Sequence, residues 1–170
     1  MNNKLTLALA LVGGLFFGGQ AMAQTCANPI VLHSNFAVTG DTCTAANTLP
    51  SYGGTTSAQN EVIYSFVAGT TGGGNPATYA TLTLGQTGGF AGSAAGVFLL
   101  PTCTAATDPT AFGVSGTPLD LNSASLVSGQ TYYVAVTADP TSPAASCGQY
   151  SLSATGSGFL PVSLQKFSVE

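Results

Sequence analysis

Short apolar runs, each closed by turn-forming residues, dominate the chain from residue 24 onward. Residues 60–68 alternate most clearly, with Val62, Tyr64 and Phe66 on one face and Ile63, Ser65 and Val67 on the other. Both faces are partly apolar, which predicts a central strand. Residues 79–84 place Ala80, Leu82 and Leu84 inward with Thr81 and Thr83 outward. Residues 97–100 form a continuous apolar run stopped by Pro101. Tyr132, Val134 and Val136 share one face of 131–137, and Tyr150, Leu152 and Ala154 share one face of 149–154. Two shorter runs, Ile30-Val31-Leu32 and Phe36-Ala37-Val38, flank Ser34-Asn35 and suggest a hairpin near the start.

The runs are rich in Val, Tyr, Phe and Thr and are bounded by Gly, Pro, Asn and Ser. No window of helical length sustains a 3.6-residue apolar period. The expected fold is therefore all-β: a two-sheet antiparallel β-sandwich of about seven to nine strands, immunoglobulin-like or jelly-roll in type. Three long loops are expected, at 44–59, 69–76 and 139–146, with 85–96 as a glycine-rich connection. Binding residues favour loops, which makes Tyr52, between Pro50 and Gly53-Gly54, the tyrosine to test for ligand contact.

The first residues change the setting of that domain. Lys4 precedes the apolar run from Leu5 to Phe17, and Ala21-Met22-Ala23 has the small-x-small cleavage pattern. Residues 1–23 read as a secretory signal peptide, too short in its apolar core for a comfortable membrane span. Cys26 does not stand at the cut, which argues against a lipid anchor. The expectation is export to the cell surface, the medium or the periplasm, with residues 24–156 as the domain and no transmembrane segment.

Cys26, Cys43, Cys103 and Cys147 all follow the cut, and an even number in an oxidising compartment reads as two disulfides. Four cysteines allow three pairings, and spacing alone does not choose among them. The hairpin-like stretch between the first two favours Cys26–Cys43 with Cys103–Cys147. No Cys-x-x-Cys pair exists and His33 is the sole histidine, so a metal site is not expected. Loss of Lys4 leaves Lys166 against six carboxylates, a formal charge of −5. Nucleic-acid binding requires a basic footprint that this composition lacks.

Catalytic patterns are missing from the sequence. His33 has no Gly-x-Ser-x-Gly elbow to partner. Asp41, Glu61, Asp108, Asp120, Asp139 and Glu170 are scattered, without the paired carboxylates of a glycosidase or the clustered ones of a calcium loop. No lysine stands near a glycine cluster to cradle phosphate. The expectation is a protein without enzymatic activity and without a cofactor.

Several strands also match a known pattern in order: Cys26-Ala27-Asn28-Pro29-Ile30, then Asn60-Glu61-Val62-Ile63-Tyr64-Ser65-Phe66, Ala80-Thr81-Leu82-Thr83-Leu84 and Val97-Phe98-Leu99-Leu100. Gly129-Gln130-Thr131-Tyr132-Tyr133-Val134 and Gly148-Gln149-Tyr150-Ser151-Leu152 follow and are the most specific parts. Together they resemble the bacterial pre-peptidase C-terminal domain, a β-sandwich of secreted proteases and surface proteins, over roughly 26–154. The resemblance implies a non-catalytic module that aids secretion, stability or attachment, carried by motifs that pack strands. Where the family often carries Asp-x-Asp, this chain has Gly89-Phe90-Ala91-Gly92-Ser93, which puts family-type metal binding in doubt. With no protease accompanying it in the sequence, the module would act in trans or serve as a building block.

Residues 157–170 follow the Gly156-Ser157-Gly158 hinge and resemble the Leu-Pro-Val-x-Leu-x-x-Phe endings of some exported bacterial proteins. Leu160, Val162 and Leu164 alternate with Pro161 and Ser163, and Phe167 and Val169 continue after a phase slip. Two readings stand: a last strand of the sandwich, or a sorting or assembly segment that pairs with a neighbouring sheet. The functions carried forward are a surface attachment or assembly module whose partner is a protein, a glycan or the chain itself, a secreted carbohydrate-binding module acting through Tyr52, and an accessory domain acting in trans on a secreted protease.

Overall fold

The structure, a computed structural model, describes residues 25–32, 37–68, 81–104, 106–121, 126–141 and 146–155. It is an all-β sandwich closed by two disulfides. Eleven strands are described: β1 (Ile30–Val31), β2 (Ala37–Asp41), β3 (Ser51–Tyr52), β4 (Thr55–Thr56), β5 (Glu61–Val67), β6 (Thr81–Gly89), β7 (Ala95–Leu100), β8 (Ala111–Val114), β9 (Leu119–Asp120), β10 (Thr131–Ala138) and β11 (Gly148–Thr155). One sheet has the order β1-β5-β10-β7-β8 and the facing sheet β2-β11-β6-β9, while β3 and β4 form a separate ribbon.

Period-two alternation builds the core between the sheets. Val62, Tyr64 and Phe66 of β5 and Tyr132, Val134 and Val136 of β10 meet Leu82, Leu84, Tyr150 and Leu152 from the opposite sheet. β5 lies between β1 and β10, as its two apolar faces predict. Two polar contacts are enclosed in or beside this core. The hydroxyls of Tyr64 and Tyr150 hydrogen-bond at 2.7 Å and so join the sheets. The Val127 N–H donates to the Tyr132 hydroxyl at 2.9 Å and fixes the turn entering β10.

The start of the chain differs from the hairpin expectation. β1 pairs in parallel with β5, Ile30 opposite Tyr64, whereas β2 pairs antiparallel with β11 in the other sheet. Adjacent runs in sequence therefore sit in different sheets. The disulfides follow the sheets: Cys26 bonds Cys103 and Cys43 bonds Cys147, with Cα separations of 5.4 and 4.8 Å. This overturns the Cys26–Cys43 and Cys103–Cys147 pairing. Asp41 lies opposite Gln149, so Cys43 just past β2 and Cys147 just before β11 are brought together by strand pairing.

The expected glycine-rich connection at 85–96 is partly strand, because β6 continues to Gly89. It then turns through Gly89 and Phe90, both at positive φ (74° and 55°), with the Phe90 side chain buried. Phe90 N–H donates to the Cys147 carbonyl at 2.7 Å, a backbone bond that holds this left-handed residue.

Candidate functional site

A second apolar cluster lies on the outer face of the five-stranded sheet. Ile63, Ala135, Phe98 and Leu100 project from β5, β10 and β7 and are covered by Leu49 and Tyr52. Cys26, Cys103 and Tyr133 pack at its margin. The covering segment is the sequence-expected loop at 44–59, which contains the β3–β4 ribbon and bridges to β5 through Ala46 and Glu61.

Glu61 anchors that cover. Its Oε1 accepts hydrogen bonds from the Thr48 hydroxyl (2.6 Å), the Leu49 N–H (2.6 Å) and the Thr48 N–H. Only 1% of the residue is exposed, and its Oε2 is enclosed without a hydrogen-bond partner. Burial pushes the Glu61 carboxyl above the usual range, and the three donated bonds pull it back in part. The Tyr52 hydroxyl is likewise enclosed without a partner, and burial together with the nearby Glu61 charge raises its pKa.

Tyr52 thus stands in a ribbon strand and is 4% exposed, not on an open loop tip. Its ring lies 4.7 Å from that of Phe98, and Phe98 in turn lies 6.1 Å from Phe112. The three rings form a row that runs from the cover to the sheet's outer edge at β8. Phe112 is 68% exposed and Val114 45%.

Beside this row opens a cleft of about 310 Å³. Its walls include Phe98, Phe112, Val114 and Tyr52, with Asp139 and Thr141 on the rim, and Gly96 leaves its floor without a side chain. The Asp139 Oδ1 accepts from the N–H and hydroxyl of Thr141 at 2.8 and 2.7 Å, which fixes the rim.

Of the sequence candidates, the cysteines form the two disulfides and Tyr52 joins the cleft. Leu160, Pro161, Val162, Leu164, Phe167 and Val169, together with His33, lie outside the described residues. Sequence reasoning missed Phe112, Val114 and Asp139. The alternation of Ala111-Phe112-Gly113-Val114 between Pro109 and Gly116 carried a strand signal, but nothing in it marks the exposed side. Among the described residues no group of three or more His, Cys, Asp or Glu could hold a metal ion, and no helix is long and apolar enough to cross a membrane. Comparison with protein-family models, with curated proteins and with solved structures gives no match.

Proposed function

We propose that the chain is a non-catalytic, exported interaction module that attaches or assembles proteins at the bacterial surface or in the extracellular matrix. The observation that carries this reading is the exposed apolar edge at β8, where Phe112 and Val114 stand beside an aromatic-walled cleft. Contiguous exposed apolar patches mark interaction sites or ligand grooves on soluble proteins. The two disulfides suit an oxidising compartment. Among the described residues the one fully buried carboxylate, Glu61, is engaged with the backbone of the cover rather than open to a substrate. The likeness to the pre-peptidase domain points the same way.

The test is retention of the exported protein on cells or in matrix, wild type beside Phe112→Ala. An exposed side chain can be truncated with little effect on folding. Loss of retention by a folded variant is the expected outcome, and unchanged retention would sink this reading of the β8 edge. The carbohydrate-binding alternative rests on the exposed face of the Phe112 ring, and glycan-array binding lost in the same variant would favour it.

A further inference from the structure

One side of the sandwich is open in a way that the rest is not. β8 passes to β9 through residues 115–118, so those edge strands share one side, and β1 and β2 share the other. On that second side Ile30 of β1 and Val38 of β2 pack against the main core cluster but are only partly buried. We propose that residues 160–166 of the same chain close this side as a strand beside β2, parallel to it, with Leu160, Val162 and Leu164 turned inward over Ile30 and Val38.

The backbone of β2 supplies the first argument. Phe90 N–H donates to the Cys147 carbonyl at 2.7 Å, which makes Gly89 and Gly148 a non-bonded pair. By alternation along β11, Tyr150 and Leu152 bond Gly40 and Val38. The N–H and C=O groups of Ala37, Thr39 and Asp41 therefore point away from β11. Among the described residues no strand pairs with that side of β2. Edge strands are ordinarily blunted by lysine or proline, and Ala37-Val38-Thr39-Gly40-Asp41 has neither.

The path of the chain supplies the occupant. β11 ends at Thr155, two residues past Ser153, which lies opposite Ala37. The chain thus leaves β11 at the end where β2 begins, and residues 156–170 lie outside the described residues. A strand beside β2 stands two inter-strand steps from β11, about 10 Å. The link Gly156-Ser157-Gly158-Phe159 gives five Cα steps to Leu160 and spans up to about 17 Å. From there a strand running back along the sheet is parallel to β2.

Pro161 selects that direction independently. With Val162 opposite Val38 in a parallel pair, Thr39 N–H donates to the Val162 carbonyl and Leu164 N–H to the Thr39 carbonyl. Pro161 and Ser163 then turn their backbone groups away from β2, so the N–H that proline lacks costs no bond. An antiparallel strand with the same side chains inward would bond β2 through 161, 163 and 165 and place Pro161 in the ladder. The tail of a second copy could approach in either direction. The direction Pro161 favours is the one the chain's own exit from β11 imposes. In this register Ser163 and Gln165 fall opposite Thr39 and Asp41, polar against polar on the outer face.

The experiment measures amide exchange and NOEs in the oxidised chain from residue 24 to 170, with Val162→Pro, Ser163→Pro and Val162→Ala beside wild type. Protected Thr39 and Leu164 amides and an NOE between Thr39 and Ser163 are expected in wild type. Val162→Pro should speed Thr39 exchange roughly tenfold or more while β5 and β10 stay protected. Ser163→Pro, whose missing N–H faces outward, should keep the protection, and Val162→Ala, which retains its N–H, should lose less than Val162→Pro. Unprotected Thr39 in wild type would overturn the proposal, as would protection kept in Val162→Pro but lost in Ser163→Pro. A Thr39–Ser163 NOE seen only between differently labelled chains in a mixed sample would overturn it in favour of a second copy. If Val162→Pro does not fold, the wild-type NOE and the mixed-label sample still decide. Phe112 stands on the opposite side of the sandwich, so failure here leaves the β8 reading as it is.

Discussion

Two enclosed polar groups carry most of the information at the residue scale. The Tyr64–Tyr150 bond joins the two sheets through the core, and both hydroxyls are pushed above the usual phenol range by burial. Tyr64→Phe leaves the Tyr150 hydroxyl enclosed without its partner, and a cost of about 1–3 kcal/mol is expected. Replacing both by Phe removes both polar groups and should recover part of that loss, giving a non-additive double-mutant cycle in urea unfolding. Additive single costs would show that the bond contributes nothing of its own.

Glu61 behaves differently, because it is an ionisable carboxyl whose Oε2 is enclosed without a partner. A carboxyl whose folded pKa is raised binds its proton more tightly in the folded state. Its contribution is therefore full below the unfolded pKa and is lost as pH rises through the raised one. Glu61→Gln keeps an acceptor for Thr48 and Leu49 without the charge. It is expected to gain about 1 kcal/mol at neutral pH and to flatten the decline in melting temperature between acid and neutral pH. Glu61→Ala instead strands the Thr48 and Leu49 donors and should cost about 2–4 kcal/mol.

At the scale of elements, each disulfide governs a different layer. Cys26–Cys103 borders the outer cluster under the cover, and Cys43–Cys147 ties β2 to β11, where the Gly148 N–H also donates to the Thr42 hydroxyl at 3.0 Å. Replacing Cys26 and Cys103 by serine should raise amide exchange at residues 49–52 roughly thirtyfold, an opening cost lower by about 2 kcal/mol, with β5 and β10 still protected. Replacing Cys43 and Cys147 should release β2 instead. Uniform loss of protection in both variants would mean that the layers unfold as one unit.

The elements also show where sequence reasoning reaches. β5, β10 and β11 were legible because alternation over seven to eight residues leaves one phase with a face to bury, and β7 because its apolar run is continuous and stopped by Pro101. β9 and the β3–β4 ribbon were not, since a two-residue strand holds too few positions to fix a period, and the four residues of β8 signal a strand without marking its exposed side. Tyr52 could be marked as notable but not as covered, because its burial comes from Phe98 of a strand distant in sequence. The cleft was invisible for the same reason: Gly96, Phe112 and Asp139 meet only through the order β10-β7-β8.

For the whole molecule, the pairing that sequence proximity favours and the pairing that the sheets enforce are in conflict, and this sets the order of oxidation. Cys26 and Cys43 are 17 residues apart in sequence, whereas the native bonds close separations of 77 and 104. Loop closure in an unfolded chain falls with about the three-halves power of length. Cys26–Cys43 should therefore form roughly tenfold faster than Cys26–Cys103 and roughly fifteenfold faster than Cys43–Cys147. It cannot persist, since β1 and β2 belong to opposite sheets, and β2 gains its partner only when β11, near the end of the described chain, is in place. Refolding of the reduced protein should thus pass through a Cys26–Cys43 species that a disulfide isomerase resolves. Alkylation of free thiols at timed intervals, followed by peptide mapping, reads the order directly. Early accumulation of Cys26–Cys43 that decays into the two native bonds is expected. Direct appearance of Cys43–Cys147 would mean instead that β2 and β11 meet before oxidation, with strand pairing rather than chain proximity choosing the cysteines.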